Sequence, residues 1–543
     1  MSETTDQAKE RLYLFDTTLR DGNQTQGVDF SVEDKYIIAE ALDRIGIDYI
    51  EGGWPGANQT DTELFENRPK LKNAKFTSFG MTRRAGRSAH NDPGLVAVID
   101  ADVDAVCLFG KTWDYQAEVA LGIDLVEAVE LIGDSVAAAV ERAGEALFDA
   151  EHFFDGYKSN PEFSLNCIKS AFEAGARWIV FCDTNGGTLP HEIGRIVEEV
   201  IAYIPGDRLG IHCHNDTENA VANTLAAVNA GVRHIQGSLN GLGERCGNAN
   251  LVSIIPTLML KSEYADRFET GINEQGLKTL THTSRLLYEL LNKAPDAHAP
   301  YVGSAAFAHK GGVHGSAVLK DPRTYEHVPP ESIGNKRHIL ISDQAGKANV
   351  LMQLADMGIE VAPDDKRLMA LVNEVKDKEF QGYTYDGAEA SFELMARRAL
   401  GEVPAYFAVD SFRVMVERRH NARGELVTVS EATVKVTVDD ETLMSAGEGN
   451  GPVNALDEAL RKDLGKYSSY IEDIELADYK VRILSQEGTG AVTRVMIESI
   501  DGDGNRWSTV GVSPNIVDAS FQALIDSIVY KLFRDGAPAG TSA

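Results

Sequence analysis

Short apolar segments alternate with helical patterns from Leu12 to about Leu260, and this alternation constrains the fold more than any other feature of the chain. It is typical of repeated βα units that build a parallel sheet. Eight such units in about 240 residues predict a (β/α)8 TIM barrel. The predicted strands are 12–15, 49–51, 75–79, 105–109, 145–150, 178–182, 209–214 and 234–238.

Polar side chains fall where the predicted strands run into their following loops. Barrel enzymes carry their catalytic groups at that position, whereas barrel-core positions normally carry branched apolar side chains. Packing alone therefore does not explain the pattern, which predicts a site at one end of the barrel. The residues concerned are Arg20, Asp21, Glu51, Glu151, Asp183, Thr184, His212, His214 and the segment 241–248.

The sequence Ile-His-Cys-His-Asn-Asp at 211–216 places two histidines two residues apart on a predicted strand. Side chains at that spacing project from the same face of a strand. His212 and His214 therefore suit one divalent metal ion, which a carboxylate from elsewhere usually completes. The alternative at this point is that both are ordinary half-buried strand residues.

Two loops offer partners for these histidines. Segment 15–22, Phe-Asp-Thr-Thr-Leu-Arg-Asp-Gly, ends the first strand, where Asp21 can hold a metal while Arg20 binds a substrate oxygen. A surface salt bridge is the alternative. Segment 241–248, Gly-Leu-Gly-Glu-Arg-Cys-Gly-Asn, follows the eighth strand, and Asn248 can add an oxygen ligand or hold a metal-bound water.

Composition limits the partners and the compartment. The net charge of −31 is spread along the chain, so neither nucleic-acid nor membrane binding is expected, and an anionic substrate must meet local cations or a metal. Five cysteines without framework spacing indicate a reducing cytoplasm. The polar first ten residues and the lack of a bilayer-length apolar run disfavour secretion and membrane insertion.

The pattern beyond the barrel predicts two further domains. We expect the barrel at 10–270, a helical linker subdomain that completes the active site at 271–400, and a C-terminal α+β domain at 401–535. In the last, segments 412–416, 427–438 and a helix at 452–464 are echoed by 479–484, 489–500 and a helix at 513–532. Small-residue turns at 447–452 and 510–514 precede the helices. We interpret the two βββα repeats as a regulatory and dimerisation domain, the alternative being a buttress for the barrel.

These motifs resemble the acyl-CoA Claisen-condensing barrel family of isopropylmalate, homocitrate and citramalate synthases. The matching segments are 16–22, 212–216 with 220–229, 241–248 and the loop 309–315, and the likeness covers essentially the whole length. Within the family, segments 52–58, 151–157 and 183–188 resemble the longer citramalate synthases rather than the isopropylmalate synthases.

The resemblance implies a metal site. Asp21, His212 and His214 would bind a divalent ion, Mg²⁺, Mn²⁺ or Zn²⁺, with Asn248 at or near its coordination shell.

The resemblance also implies roles in catalysis. Arg20 would face the keto oxygen, Thr184 would contact the carboxylate of the 2-oxo acid, and Glu151 would be the catalytic carboxylate. His314 matches a histidine that reaches the barrel of a neighbouring subunit. Which of Glu151 and His314 acts as the base is open.

The chain departs from the isopropylmalate synthases at Asn23, His152 and Asn185, where they have glutamate, an acidic residue and valine. A tyrosine that some family members use after the His314 loop has no secure counterpart. Reaction type is therefore better determined by the sequence than substrate choice.

The activity implied is an acyltransferase that condenses acetyl-CoA with pyruvate and hydrolyses the thioester to (R)-citramalate and CoA, in isoleucine biosynthesis. A homodimer with isoleucine as feedback effector would follow. The alternatives are a 2-isopropylmalate or homocitrate synthase that uses a larger 2-oxo acid, a metal-dependent lyase or aldolase on the same barrel, and a ligand sensor with an inactive barrel.

Overall fold

A computed structural model describes residues 8–310, 312–339, 347–362, 364–484 and 490–540. Contacts divide the chain into two compact units, Met1–Phe307 with Val328–Arg337 and Ala308–His327 with His338–Ala543. The domain boundaries expected at 270 and 400 stay a prediction. Gly311 of the expected loop and Thr489 of the expected strand lie outside the described residues.

Eight parallel strands close into a barrel in the first unit, which confirms the predicted fold class. The first and last strands complete the closure, with Tyr13 paired to His234. The seventh strand ends at Cys213 rather than at the predicted 214, because the backbone of His214 pairs instead with Asn248. The strands β1–β8 are Tyr13–Asp16, Tyr49–Gly53, Lys75–Met81, Ala105–Lys111, Ala146–Glu151, Trp178–Asp183, Leu209–Cys213 and His234–Gly237.

A principal helix follows each barrel strand and packs outside it. Ser31 and Asp34 form a capping box at the start of the first helix, and Gly46 ends it with φ of 105°. Across the described residues no helix has the length and apolar character to cross a bilayer. The helices α1–α8 are Val32–Ile45, Gln59–Glu66, Pro93–Ile99, Leu125–Ala143, Pro161–Glu173, Pro190–Val200, Ala220–Asn229 and Leu251–Leu260, with a short helix Phe153–Ser159 before α5.

Helices dominate the chain between the barrel and the C-terminal sheets, as expected. The expected loop at 309–315 is wrong in its second half, where α10 includes His314. The glycines at 311–312 favoured a loop in the prediction, but the helix forms and buries Val318. A short parallel pair, Ala308–His309 with His338–Ile339, has one strand before α10 and one after it. The helices are α9 Leu280–Leu290, α10 Gly312–Lys320, α11 Lys347–Asp356, α12 Lys366–Phe380 and α13 Glu389–Leu400.

The C-terminal part of the second unit consists of two βββα repeats, which confirms the predicted architecture. Each repeat is a three-stranded antiparallel sheet followed by a helix. The first comprises β9 Ala408–His420, β10 Leu426–Val438, β11 Glu441–Gly449 and α14 Pro452–Asp463. The second comprises β12 Glu475–Ile483, β13 Thr493–Ile500, β14 Arg506–Ser513 and α15 Ile516–Arg534.

The small-residue turns expected before the two helices are mostly strand. β11 runs through Gly449 and β14 through Ser513. The glycines serve close packing instead, since a Cβ at Gly447 would lie 2.5 Å from the Ala455 carbonyl oxygen of α14. At Gly511 a Cβ would lie 2.0 Å from the Ala519 carbonyl oxygen of α15.

Candidate active site

Asp21, His212 and His214 converge at the C-terminal end of the barrel strands. Their potential ligand atoms all lie within 4.8 Å of one another, and all three side chains are buried. The His212 Nε2 atom lies 3.4 Å from His214 Nε2 and 3.4 Å from Asp21 Oδ2. Two imidazole nitrogens and a carboxylate oxygen at this spacing form a donor set that fits one divalent metal ion.

Asn248 lies beside this cluster. Its backbone pairs with that of His214, and its side chain is buried. The Asn248 Nδ2 atom lies 3.5 Å from Thr17 Oγ1, whereas its Oδ1 has no hydrogen-bond partner among the described residues. Gly243 makes room for this amide, because a Cβ there would lie 2.6 Å from Asn248 Oδ1. A buried, orphaned oxygen beside two histidines fits a metal ligand or the acceptor of a metal-bound water.

The charges of the cluster suit metal binding. Burial raises the pKa of Asp21, but Arg20 and the two histidines outweigh burial and hold this pKa far below its usual value. Burial and the neighbouring His212 lower the pKa of His214 to about 3. Burial lowers the pKa of His212, but the Asp21 carboxylate outweighs burial and raises this pKa. Asp21 is therefore ionised and His214 neutral near pH 7, the states that metal ligands require.

Arg20 is fixed from three sides. Its Nε donates to Glu51 Oε2 at 2.7 Å, and its Nη1 lies 3.6 Å from Asp21 Oδ2. Its Cζ stands 3.8 Å from the centroid of the Phe79 ring, so the guanidinium lies over the aromatic face. Burial raises the pKa of Glu51 to about 7, although Arg20 beside it lowers that pKa. Arg20 also lines a cavity at this end of the barrel.

Glu151 and Thr184 line the same cavity as Arg20. Glu151 ends β5 and forms an ion pair with Lys111 at 2.6 Å between Oε2 and Nζ. Thr184 follows β6, and its Oγ1 accepts a hydrogen bond from the His152 backbone N–H at 2.8 Å. The structure thus brings both residues to the face of the barrel that carries the Asp21 cluster.

The cavity has a volume of about 360 Å³, and all of its lining residues belong to the first unit. One wall is aromatic. Phe79 and Phe109 stack with ring centroids 5.1 Å apart, and Trp54 meets both rings edge-on. The Trp54 loop is anchored from below by Asp61, whose Oδ2 accepts the Trp54 backbone N–H at 2.9 Å and whose other oxygen pairs with buried Lys35.

Sequence reasoning did not find this aromatic wall, nor Asp149 and Gln236 behind the histidines. Gln236 Nε2 donates to Asp149 Oδ1 at 2.9 Å, and His212 Nδ1 lies 2.9 Å from Gln236 Oε1. Asp149 could have been predicted from the sequence, because it stands two residues before Glu151 on β5 and therefore projects from the same face of that strand.

His314 lies in the second unit and is exposed on α10. Its ring lies 4.2 Å from the ring of Tyr325, measured between centroids. A tyrosine therefore does stand beside this histidine, which the sequence did not establish. The expected part of His314 in catalysis stays a prediction.

Family models match three consecutive parts of the chain. An HMGL-like model matches residues 11–284, a homocitrate synthase post-HMGL domain-like model matches 301–382, and a LeuA allosteric (dimerisation) domain model matches 386–532.

The (R)-citramalate synthase of Aquifex aeolicus is 48% identical to the chain over 97% of its length and 98% of that protein. The (R)-citramalate synthase of Geobacter sulfurreducens is 49% identical over 96% of the chain and 97% of that protein. The chain belongs to the (R)-citramalate synthase family. A probable 2-isopropylmalate synthase of Methanopyrus kandleri, at 33% identity over 96% of the chain and 98% of that protein, is more distant from this family member.

Proposed function

We propose that the chain condenses acetyl-CoA with pyruvate to give (R)-citramalate and free CoA. One observation carries the proposal: Arg20, Glu151 and Thr184 face the same cavity as the Asp21 cluster, in a member of the (R)-citramalate synthase family. The methyl carbon of acetyl-CoA loses a proton and attacks the keto carbon of pyruvate. Protonation of the new alkoxide and hydrolysis of the thioester complete the reaction.

Asp21, His212 and His214, with Asn248 beside them, would hold a divalent ion, Mg²⁺, Mn²⁺ or Zn²⁺, which supplies Lewis-acid polarisation of the keto group. Arg20 donates hydrogen bonds to the keto oxygen, and these strengthen as that oxygen becomes an alkoxide. The contacts with Glu51 and Phe79 hold the guanidinium in place before substrate arrives.

The Thr184 hydroxyl donates to the carboxylate of pyruvate. Its oxygen accepts from the His152 backbone N–H, and this leaves the hydroxyl hydrogen available to donate. Glu151 takes a proton from the acetyl-CoA methyl, with Lys111 holding the carboxylate in position. His314 is the second base candidate, supplied by a neighbouring subunit.

The aromatic wall of Trp54, Phe79 and Phe109 supports pyruvate, rather than a larger 2-oxo acid, as the substrate. Stacked rings yield less readily than aliphatic side chains, so we expect a methyl group to fit beside this wall better than an isopropyl group. Discrimination of about 10-fold or more per added branch is typical of such pockets.

The test measures CoA release from acetyl-CoA with pyruvate, 2-oxobutanoate, 2-oxoisovalerate and 2-oxoglutarate. We expect the highest kcat/KM with pyruvate and (R)-citramalate as the product. Preference for 2-oxoisovalerate or 2-oxoglutarate would establish a sister synthase instead. Cleavage of citramalyl-CoA without net condensation would indicate a lyase.

We further propose a homodimer with isoleucine as effector of the C-terminal domain. The match to an allosteric (dimerisation) domain model supports a dimer and an effector, and isoleucine is the effector expected of a synthase in isoleucine biosynthesis. Apolar side chains exposed on the C-terminal sheets support an interface there. They are Met415, Val416, Met444, Leu476, Val481 and Ile483. The five free thiols, four of them buried, agree with the cytoplasm that we propose as the site of action.

A further inference from the structure

A buried chain of hydrogen bonds leads away from the metal cluster into the barrel. His212 Nδ1 lies 2.9 Å from Gln236 Oε1, and Gln236 Nε2 lies 2.9 Å from Asp149 Oδ1. The exposed fractions of His212, Gln236 and Asp149 are 4%, 0% and 3%. Solvent therefore cannot replace either hydrogen bond, and the chemistry of each atom decides the direction of the chain.

The direction follows from donor and acceptor capacity. The NH₂ group of Gln236 faces Asp149, whose carboxyl oxygen accepts its hydrogen bond. The amide oxygen of Gln236 faces His212, and because a carbonyl oxygen only accepts, Nδ1 of His212 carries a hydrogen. The lone pair of His212 Nε2 is thereby presented to Asp21 and His214, the atoms nearest to it.

We propose that Asp149 and Gln236 are positioning residues that fix the tautomer and ring orientation of His212 for metal binding. The inference rests on the metal site of the proposed function and adds two residues to it. Gln236 links the two groups: its NH₂ donates to Asp149, and this hydrogen bond keeps its amide oxygen turned towards the imidazole of His212. Without Asp149, the amide of Gln236 is free to turn over. An amide NH₂ facing Nδ1 would put the ring hydrogen on Nε2 and remove the metal ligand.

The hydrogen bonds could also run in the opposite direction, from Asp149 towards His212, and a substitution can distinguish the two cases. A protonated Asp149 could donate to Gln236 Oε1, and the amide NH₂ would then face Nδ1 and leave Nε2 protonated. In that arrangement Asp149→Leu does not weaken Mn²⁺ binding, because it only releases an amide that was fixed in the unfavourable orientation. The two directions therefore predict opposite results for one substitution.

The test measures Mn²⁺ affinity by electron paramagnetic resonance of the free ion, on full-length metal-stripped protein. Asp149→Leu, which removes both donor and acceptor, should weaken Mn²⁺ binding by about 10- to 100-fold, the usual effect of losing a partner that orients a metal ligand. The double substitution Asp149→Leu with Gln236→Glu should restore affinity to within about 3-fold of wild type. In the double variant the introduced glutamate accepts from His212 in either orientation of its carboxylate, and the total charge is unchanged.

Controls separate this relay from charge and from misfolding. Glu198→Gln removes one exposed carboxylate on α6, away from the cavity, and should leave Mn²⁺ affinity unchanged. His212→Ala should abolish high-affinity binding. Unfolding temperatures of all variants are measured in parallel, and the rescue by the double substitution excludes a merely structural effect.

Full affinity in Asp149→Leu, or a double variant no better than Asp149→Leu, would overturn the relay while leaving the metal site intact. Wild-type protein that binds no Mn²⁺, Mg²⁺ or Zn²⁺ would overturn the site and the relay together. Metal binding with the expected rescue but without citramalate formation would leave the relay standing and refute the proposed reaction.

Discussion

Burial gives different chemistry to histidines that look alike in the sequence. His212 and His214 are buried at the mouth of the barrel and face Asp21, so an ion or a proton can be shared among them. His234 is buried at the other end of its strand among aromatic rings and is stacked on Trp178 with centroids 4.9 Å apart. Neither of its ring nitrogens has a hydrogen-bond partner among the described residues. The first two are functional candidates, whereas His234 is a core residue.

Arg20→Lys tests the guanidinium geometry at the residue scale. Lysine keeps the charge but loses the planar fork that bridges Glu51 and the cavity. We expect kcat to fall by about 100-fold or more, because the lost contact strengthens only as the alkoxide forms. Steady-state kinetics with pyruvate check this, and Mn²⁺ affinity serves as the control that should barely change. Wild-type turnover would remove Arg20 from the site.

His234 makes the fold acid-sensitive. Burial lowers the pKa of His234 in the folded state to about 3 from an ordinary 6.5, so the unfolded chain binds more protons between these values. The free energy of unfolding therefore falls as pH drops below about 6.5, and the contribution of His234 is about 2 kcal/mol near pH 5.

His234→Phe removes this titration and retains an aromatic ring in the box of Phe15, Tyr49 and Trp178. Urea unfolding at pH 7 and pH 5 should show a smaller loss of stability in the variant than in wild type. His282→Phe, at an exposed position of α9, is the matched control and should lose as much as wild type. Equal pH dependence in all three proteins would contradict the assignment.

At the scale of elements, the two C-terminal repeats use the same device to seat a helix on a sheet. Gly447 of β11 faces the backbone of Ala455 and Ala459, and Gly511 of β14 faces that of Ala519 and Ala523. The glycine precedes its two alanines by 8 and 12 residues in both repeats, as the numbering shows. This shared spacing supports the internal repeat through packing geometry rather than through a ligand.

Gly511→Ala should destabilise the second repeat, because the added methyl group would lie 2.0 Å from a backbone oxygen that cannot rotate away. We expect a loss of about 1–3 kcal/mol, as for other overpacked sites. Gly465→Ala is the matched control, since nothing lies within 4 Å of its added Cβ. Denaturant unfolding followed by tryptophan fluorescence measures both. Equal stability of the two variants would show that the strand and helix can separate without cost.

At the scale of the whole molecule, the role expected of His314 makes each active site a joint product of two subunits. Arg20→Lys and His314→Ala proteins should each be weakly active. After mixing, unfolding and refolding together, half of the dimers are mixed, and one of their two sites combines an intact barrel with an intact His314. Activity of about a quarter of wild type should return. Mixtures that stay inactive would place His314 in its own subunit's site or outside catalysis.

Isoleucine regulation is a second prediction for the whole molecule. Calorimetry on the full chain should detect isoleucine binding, and isoleucine should raise the KM for substrate or lower kcat. Where the inhibition acts on affinity, pyruvate must weaken isoleucine binding by the same factor, because coupling free energies are reciprocal. Leucine and valine are the controls for selectivity. Absence of binding by all three would leave the repeats with assembly alone.

The barrel, its eight strands within a residue or two, the paired repeats and the shared face of His212 and His214 could be predicted from short-range regularities: apolar alternation, residues two apart on a strand, and polar residues at strand ends. That Asp21 joins the two histidines was implied by the family resemblance. The helix that includes His314 was not predicted, because the glycines at 311–312 are typical of a loop. The segments near Gly447 and Gly511 were predicted as turns, although they are strands, because glycine is common in turns and also occurs in strands that pack closely against a helix.

Two features of the site depend on contacts between residues that are distant in the sequence, and only the folded structure shows them. Trp54, Phe79 and Phe109 come from three strands or loops, and no local pattern reveals that their rings meet in one wall. Asp149 reaches His212 only through Gln236, which is 87 residues away along the chain. Closing the barrel creates both arrangements, because it brings strands that are distant in sequence to hydrogen-bonding distance and removes water from the groups between them.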